Sequence, residues 1–146
     1  MSIPTIRPAQ PSDARALTAC FEAAYAPFLD LDGLPDVTSG LAEDIARRPV
    51  FVAEDGGALL GGAILMVDGR VGHLGNLAVA PESQGRGVAR LLIDAVEAHC
   101  RDAGIDVLRL ATHADMGGNV ALYAHLGFRE IARRGRKVEM EKRLGP

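Results

Sequence analysis

The stretch "LAVAPESQGRGVARLL", residues 77–92, decides the fold. Leu77 to Ala80 close a strand-like apolar run, and Pro81 to Gly87 form a polar turn with Arg86 between Gly85 and Gly87. From there Val88, Leu91, Leu92, Ala95, Val96, His99, Cys100 and Ala103 fall on one face of a helix predicted over 88–103, which Gly104 stops. The first-turn N–H groups of such a helix have no partner inside it, and together with the positive end of the helix dipole they favour an anion. Glycine lets a backbone approach a ligand closely. Gln84, Gly85, Arg86, Gly87, Val88, Ala89 and Arg90 therefore read as a phosphate cradle, with Arg86 and Arg90 as added charge. The alternative is a plain helix start after a proline-containing turn. A dinucleotide fingerprint would need glycine where Arg90 stands, and a P-loop would need Gly-Lys-Ser/Thr, which is absent.

Working outward, "TIRPA" reads as a first strand and "PSDARALTACFEAAYAPF" as a helix with Ser12 and Asp13 as candidate caps. Its apolar face is Leu17, Cys20, Phe21, Ala24, Tyr25 and Phe28. A second helix is predicted within "VTSGLAEDIARR", residues 37–48. From Pro49 the pattern turns to strands: "VFVAE", "LLGGAILMV" and "VGHLGNLAVA", joined by short "DGG" and "DGR" turns, predict an antiparallel meander. After the third helix come "DVLRLAT" as a buried strand, "NVALYAHLGF" as a short helix, and "FREIARR" and "KVEMEKRL" as two last strands. The order β-α-α-β-β-β-α-β-α-β-β predicts a single α+β domain over residues 1–146, with about seven strands and four helices.

A chain of 146 residues suits one such core, and 24% charged residues against 48% apolar ones exclude a disordered composition. A net charge of −3 gives no basic field for nucleic acid. No apolar run approaches the ~20 residues needed to span a bilayer. Cys20 and Cys100 lie on apolar helix faces and read as small buried hydrophobes, neither disulfide nor metal pair. "MSIPTIRPAQ" lacks a signal-peptide apolar core, so a cytoplasmic location is expected, with no nucleic-acid or membrane partner and no metal.

The motifs carry a resemblance. "LAVAPESQGRGVARLL" resembles the acetyl-CoA signature of the GNAT superfamily of N-acetyltransferases: Leu-x-Val, a proline-containing loop, then Gln/Arg-x-x-Gly-x-Gly/Ala, met here by Leu77, Val79, Pro81, Gln84, Gly87 and Ala89. "NVALYAHLGF" is similar to the second signature, a tyrosine-bearing helix that ends in Leu-Gly-Phe, and the element order also matches. The resemblance implies a mixed, mostly antiparallel sheet flanked by four helices. It places Leu77, Ala78 and Val79 beside the pantetheine arm of acetyl-CoA as co-substrate, and the amides of Gly85 to Arg90 at the pyrophosphate. Tyr123 matches the family's general acid, a phenol that protonates the departing thiolate. Two departures stand out. Met116 occupies the place of an asparagine seven residues before the tyrosine, while Asn119 stands four before it and reads as a helix cap, a cofactor contact or both. Ala111 occupies the place of an acidic base found in some members.

A thioester is attacked by a neutral amine, so a protonated acceptor must first lose a proton to a base or to water. His73 and His113 are the candidate bases. Simple alternation across "GHLGNLAV" puts His73 and Gly75 on one side and Leu74 and Asn76 on the other unless a bulge intervenes. Tyr25, Phe28 and Leu29 with Asp30, Asp32, Asp36, Glu43 and Asp44 read as an aromatic wall under an acidic rim for a small cationic amine, or else as a solvated face. "RRGRK", residues 133–137, reads as an exposed hairpin turn or a contact to the cofactor's terminal phosphate. The function expected is direct acetyl transfer from acetyl-CoA to the primary amine of a small molecule, with a homodimer as the assembly. Acetylation of a protein N-terminus or lysine, and a non-catalytic acyl-CoA-binding module, are the competing readings.

Overall fold

A computed structural model describes residues 3–28, 40–115 and 118–145. Its strands follow the apolar runs: β1 (Thr5–Pro8), β2 (Val50–Asp55), β3 (Ala58–Asp68), β4 (Val71–Val79), β5 (Val107–His113), β6 (Arg129–Arg134) and β7 (Lys137–Arg143). The helices are α1 (Ala14–Tyr25), α2 (Leu41–Arg47), α3 (Val88–Asp102) and α4 (Asn119–His125). All seven strands form one sheet in the order β1-β2-β3-β4-β5-β7-β6. Every neighbouring pair is antiparallel except β4 and β5, which run parallel. α3 makes the crossover between those two, because a parallel pair cannot be closed by a tight turn.

Two cores sit on the two faces. α1 packs Leu17 and Phe21 against Val50, Val52 and Ile64 on one face. α3 packs Val88, Leu92, Ile93, Val96 and Cys100 against Leu65, Leu74, Leu108 and Leu110 on the other. The α3 stripe is rotated from the expected one: Ile93 and Glu97 are buried, whereas Ala103 is exposed. A carboxylate tolerates that position because Lys142 Nζ lies 2.8 Å and Arg101 Nη2 3.4 Å from its oxygens. Both cysteines are buried and free. At the first helix, Asp13 accepts from Gln10 N–H at 2.7 Å and pairs with Arg7 at 2.7 Å, while Ser12 makes no cap. Of the second helix, expected within 37–48, the described part is α2, and residues 37–39 lie outside the described residues.

One irregularity positions the site. The β3–β4 register pairs Ile64 with Asn76 and Leu65 with Leu74, so Gly75 is an extra residue in β4. This bulge shifts everything after it by one side-chain position. Asn76 therefore joins His73 on the α1 side of the sheet, the exception that the alternation argument allowed.

Candidate active site

β4 and β5 pair only from Val71–Val107 to Leu74–Leu110. β4 then runs on to Val79 and β5 to His113, so their facing edges diverge without ladder partners. The wedge opens into a cleft of about 720 Å³. His73, Asn76 and Leu77 line it from β4, Thr112 and His113 from β5, Asn119 and Tyr123 from α4, and Tyr25 from α1. These residues lie far apart in sequence and meet only because the sheet splays.

At the β4 exit, the loop into α3 holds Gly85 at φ +85° and Gly87 at φ +79°. Both values are left-handed and favour glycine. Gly87 is the N-cap of α3 and provides no side-chain bond. The first backbone bond of that helix is Leu91 N–H to Gly87 O at 3.1 Å. The N–H groups of Gly85, Gly87, Val88, Ala89 and Arg90 donate to no acceptor among the described residues. Space is open where a Cβ would stand on Gly85 or Gly87, with no atom within 4 Å. Open amides, a helix dipole and room in front of the backbone suit a diphosphate. Arg86 is already engaged, its Nη2 lying 3.1 Å from Asp55 Oδ2. Gln84 Nε2 donates to Val79 O at 3.3 Å, which ties the loop to the end of β4. None of residues 84–90 lines the cleft itself, and neither do Ala78 and Val79; Leu77 and Asn119 do.

Tyr123 is 6% exposed, with its ring edge-on to Phe128 at 5.9 Å. Burial, and then the nearby Tyr25 phenol, raise its pKa well above the ordinary tyrosine value. Its hydroxyl therefore stays protonated. Tyr25 donates to Asn76 Oδ1 at 3.0 Å, a bond between two residues fifty-one apart in sequence. Burial raises the Tyr25 pKa as well. Asn119 does not cap α4: its Nδ2 donates to Thr112 Oγ1 at 3.3 Å across the wedge.

The two candidate bases differ. His113 is buried, and its Nδ1 accepts the Asp115 N–H at 3.0 Å, so the neutral ring carries its proton on Nε2. His73 is half-buried in the cleft wall and makes no hydrogen bond among the described residues. His99 instead packs edge-on to Phe51 at 5.8 Å, and His125 is exposed on α4.

The expected acidic rim is corrected where it is described. Glu43 and Asp44 pair with Arg47 at 3.4 Å and Arg48 at 3.2 Å along α2, and they do not line the cleft. Leu29, Asp30, Asp32 and Asp36 lie outside the described residues. The hairpin at 133–137 turns at Gly135, and it sends Arg134, Arg136 and Lys137 to the cleft wall. Sequence reading missed this lining, together with Arg109 and Glu139. Alternation along β5 and β7 was the signal that could have found it, since it puts Arg109, Ala111 and His113 on one face opposite Glu141, Glu139 and Lys137. Among the described residues, no helix is long and apolar enough to cross a membrane.

Comparison with known proteins agrees with this geometry. The model of the acetyltransferase (GNAT) family matches residues 16–128. The chain is 35% identical to an aminoglycoside N(6')-acetyltransferase type 1 of Stenotrophomonas maltophilia, with 90% of each covered. It is 39% identical to a mycothiol acetyltransferase of Beutenbergia cavernae over 56% of this chain, a stretch that spans only 28% of that protein. The fold is similar to that of the PaiA N-acetyltransferase of Thermoplasma acidophilum, solved with coenzyme A: TM-score 0.84 and 19% identity, over 97% of this chain and 99% of that one. The chain belongs to the acetyltransferase (GNAT) family.

Proposed function

We propose that the chain is an N-acetyltransferase that transfers an acetyl group from acetyl-CoA to the primary amine of a small molecule, by direct attack within a ternary complex. The observation that carries this reading is the divergence of β4 from β5 beside a helix start whose amides are open. The relatives support it: one is named for acetylation of an aminoglycoside, and another was solved with coenzyme A. Acetyl-CoA supplies, when bound, an acetyl group activated as a thioester.

The chain's own residues divide the remaining work. The amides of Gly85 to Arg90, with the dipole of α3, bind the diphosphate. The diverging edge of Leu77, Ala78 and Val79 offers backbone groups to the pantetheine arm, and Asn119 faces the same cleft. His73 takes the proton that leaves the acceptor amine, its ring being uncommitted to other groups among the described residues. His113, protonated on Nε2, offers a hydrogen bond into the cleft and helps to orient the acceptor. Tyr123 holds at its hydroxyl the proton that a departing thiolate requires. Among the described residues, no cysteine lines the cleft, which suits direct transfer.

This reading treats residues 1–146 as one catalytic domain, an assignment supported by the single sheet that all the strands share. It places the protein in the cytoplasm, where two free thiols are stable, and it takes the assembly as a homodimer through an edge strand.

A thiol-release assay with acetyl-CoA against a panel of amines tests the reading, with Gly87→Asp alongside. The variant adds a side chain at φ +79° and negative charge at the anion site. Acetyl-CoA affinity measured by calorimetry is expected to fall about tenfold or more. Retained affinity in the variant would remove the loop from the binding site, and silence across the panel would remove the transferase reading.

A further inference from the structure

The cleft carries a charge pattern that acetyl transfer alone does not require. On β5, Arg109 and His113 share a face, and β7 sets Glu141 and Lys137 opposite them. Arg134 of β6 stands opposite Lys137. Arg109, Arg134, Arg136 and Lys137 all line the cleft, against Glu139 as the single lining carboxylate among the described residues. The chain as a whole carries a net charge of −3, so this excess runs against its overall balance.

Pairing among the described residues does not consume the excess. Arg136 meets Asp115 at 2.8 Å. Arg109 meets Glu141 at 2.9 Å, and Arg129 shares that carboxylate at 3.5 Å. Lys137 reaches Glu139 only at 4.0 Å. Arg134 has no ion pair or hydrogen bond among the described residues. Among the described residues, five cations thus meet three carboxylates, an excess of two positive charges at and beside the cleft wall. A concave site with apolar walls focuses such a field. It repels a polycation and attracts a molecule that brings a negative charge with its amine.

We infer that the acceptor is a small amine bearing its own anionic group, a carboxylate or a phosphate, which Arg134 and Lys137 receive at the β6–β7 hairpin while the amine points to His73 and Tyr123. This rests on the acetyl-transfer reading and narrows it. Guanidinium groups suit either anion, because their donors form a fixed fork. Where the sequence suggested a simple cationic amine, this inference specifies a zwitterion.

The test is a set of acceptors built on the same amine skeleton, ending in a carboxylate, a phosphate ester or a carboxamide, with spermidine and an aminoglycoside as polycations. Thiol release is measured and each product is verified by mass, for the native chain and for Arg134→Glu and Lys137→Glu. Acetyl-CoA affinity is measured in parallel. The carboxylate or the phosphate acceptor is expected to show kcat/KM about tenfold or more above the carboxamide, by a lower KM, with the gap shrinking as salt is raised. Whichever of the two leads identifies the anion. Either variant is expected to lose most of that preference with acetyl-CoA affinity within about twofold of native. Equal or better turnover of the carboxamide or the polycations overturns the inference and leaves acetyl transfer standing, as does a preference that survives both variants. No turnover of any amine with acetyl-CoA still bound overturns both.

Discussion

At the scale of single residues, Tyr123 shows how burial keeps a phenol protonated. Its phenol is removed from water and lies near a second phenol, so the charged form is penalised and the proton stays on. With the folded pKa raised, ionisation costs the enzyme nothing up to about pH 10, the ordinary tyrosine value. Tyr123→Phe is expected to lower kcat roughly 100-fold with acetyl-CoA affinity within about twofold, as read by steady-state kinetics and calorimetry. His73→Gln is expected to lower kcat/KM about tenfold or more with acetyl-CoA affinity within about twofold, as read by the same two measurements. Unchanged kcat/KM in His73→Gln would pass the proton to water or to another group. The sequence named all these residues but not their partners. The Tyr25–Asn76 bond at 3.0 Å depends on a bulge that alternation alone cannot supply. Asn119 was legible as a polar residue at a helix start; that it bonds Thr112 instead of capping α4 follows from where β5 ends.

At the scale of elements, the helices and strands follow local pattern closely. α3 matches its expected span to within one residue because its apolar repeat and its glycine punctuation agree. Its rotation was not legible: the Glu97 position is decided by Lys142, which reaches it from β7. β3 has a similar dependence. A methyl group on Gly62 would run into Leu17 Cδ1 and stand 3.3 Å from Phe51 O, and Leu17 is fully buried beneath α1. Gly62→Ala is therefore expected to destabilise the fold by about 1–3 kcal/mol, measured by urea unfolding. A midpoint equal to that of the native chain would show that α1 can move away from the sheet at no cost.

At the scale of the whole molecule, stability and site share one charged floor. The hydrogen bond from Arg109, and then Arg129, hold the buried Glu141 carboxyl below the usual carboxylate range. Arg7 does the same to Asp13 at the other end of the sheet. A group with a depressed folded pKa stabilises above its unfolded value, near ~4 for carboxylates, and that contribution is lost as pH falls. Thermal melts are expected to show Tm dropping from about pH 5 downward, with a shallower drop in Glu141→Gln. Equal slopes would show that the Arg109–Glu141 pair contributes nothing to acid sensitivity. The sequence by itself determined the element order, the glycine loop before α3 and the tyrosine on its helix, because periodicity, turn chemistry and helix starts are set by residues adjacent along the chain. Only the tertiary structure decided where β4 leaves β5, which way Asn76 turns and that Arg134, Arg136 and Lys137 of the exposed "RRGRK" hairpin stand at the rim of the cleft. Those outcomes depend on register between strands far apart in sequence, and a shift of one residue in register sends a side chain to the opposite face.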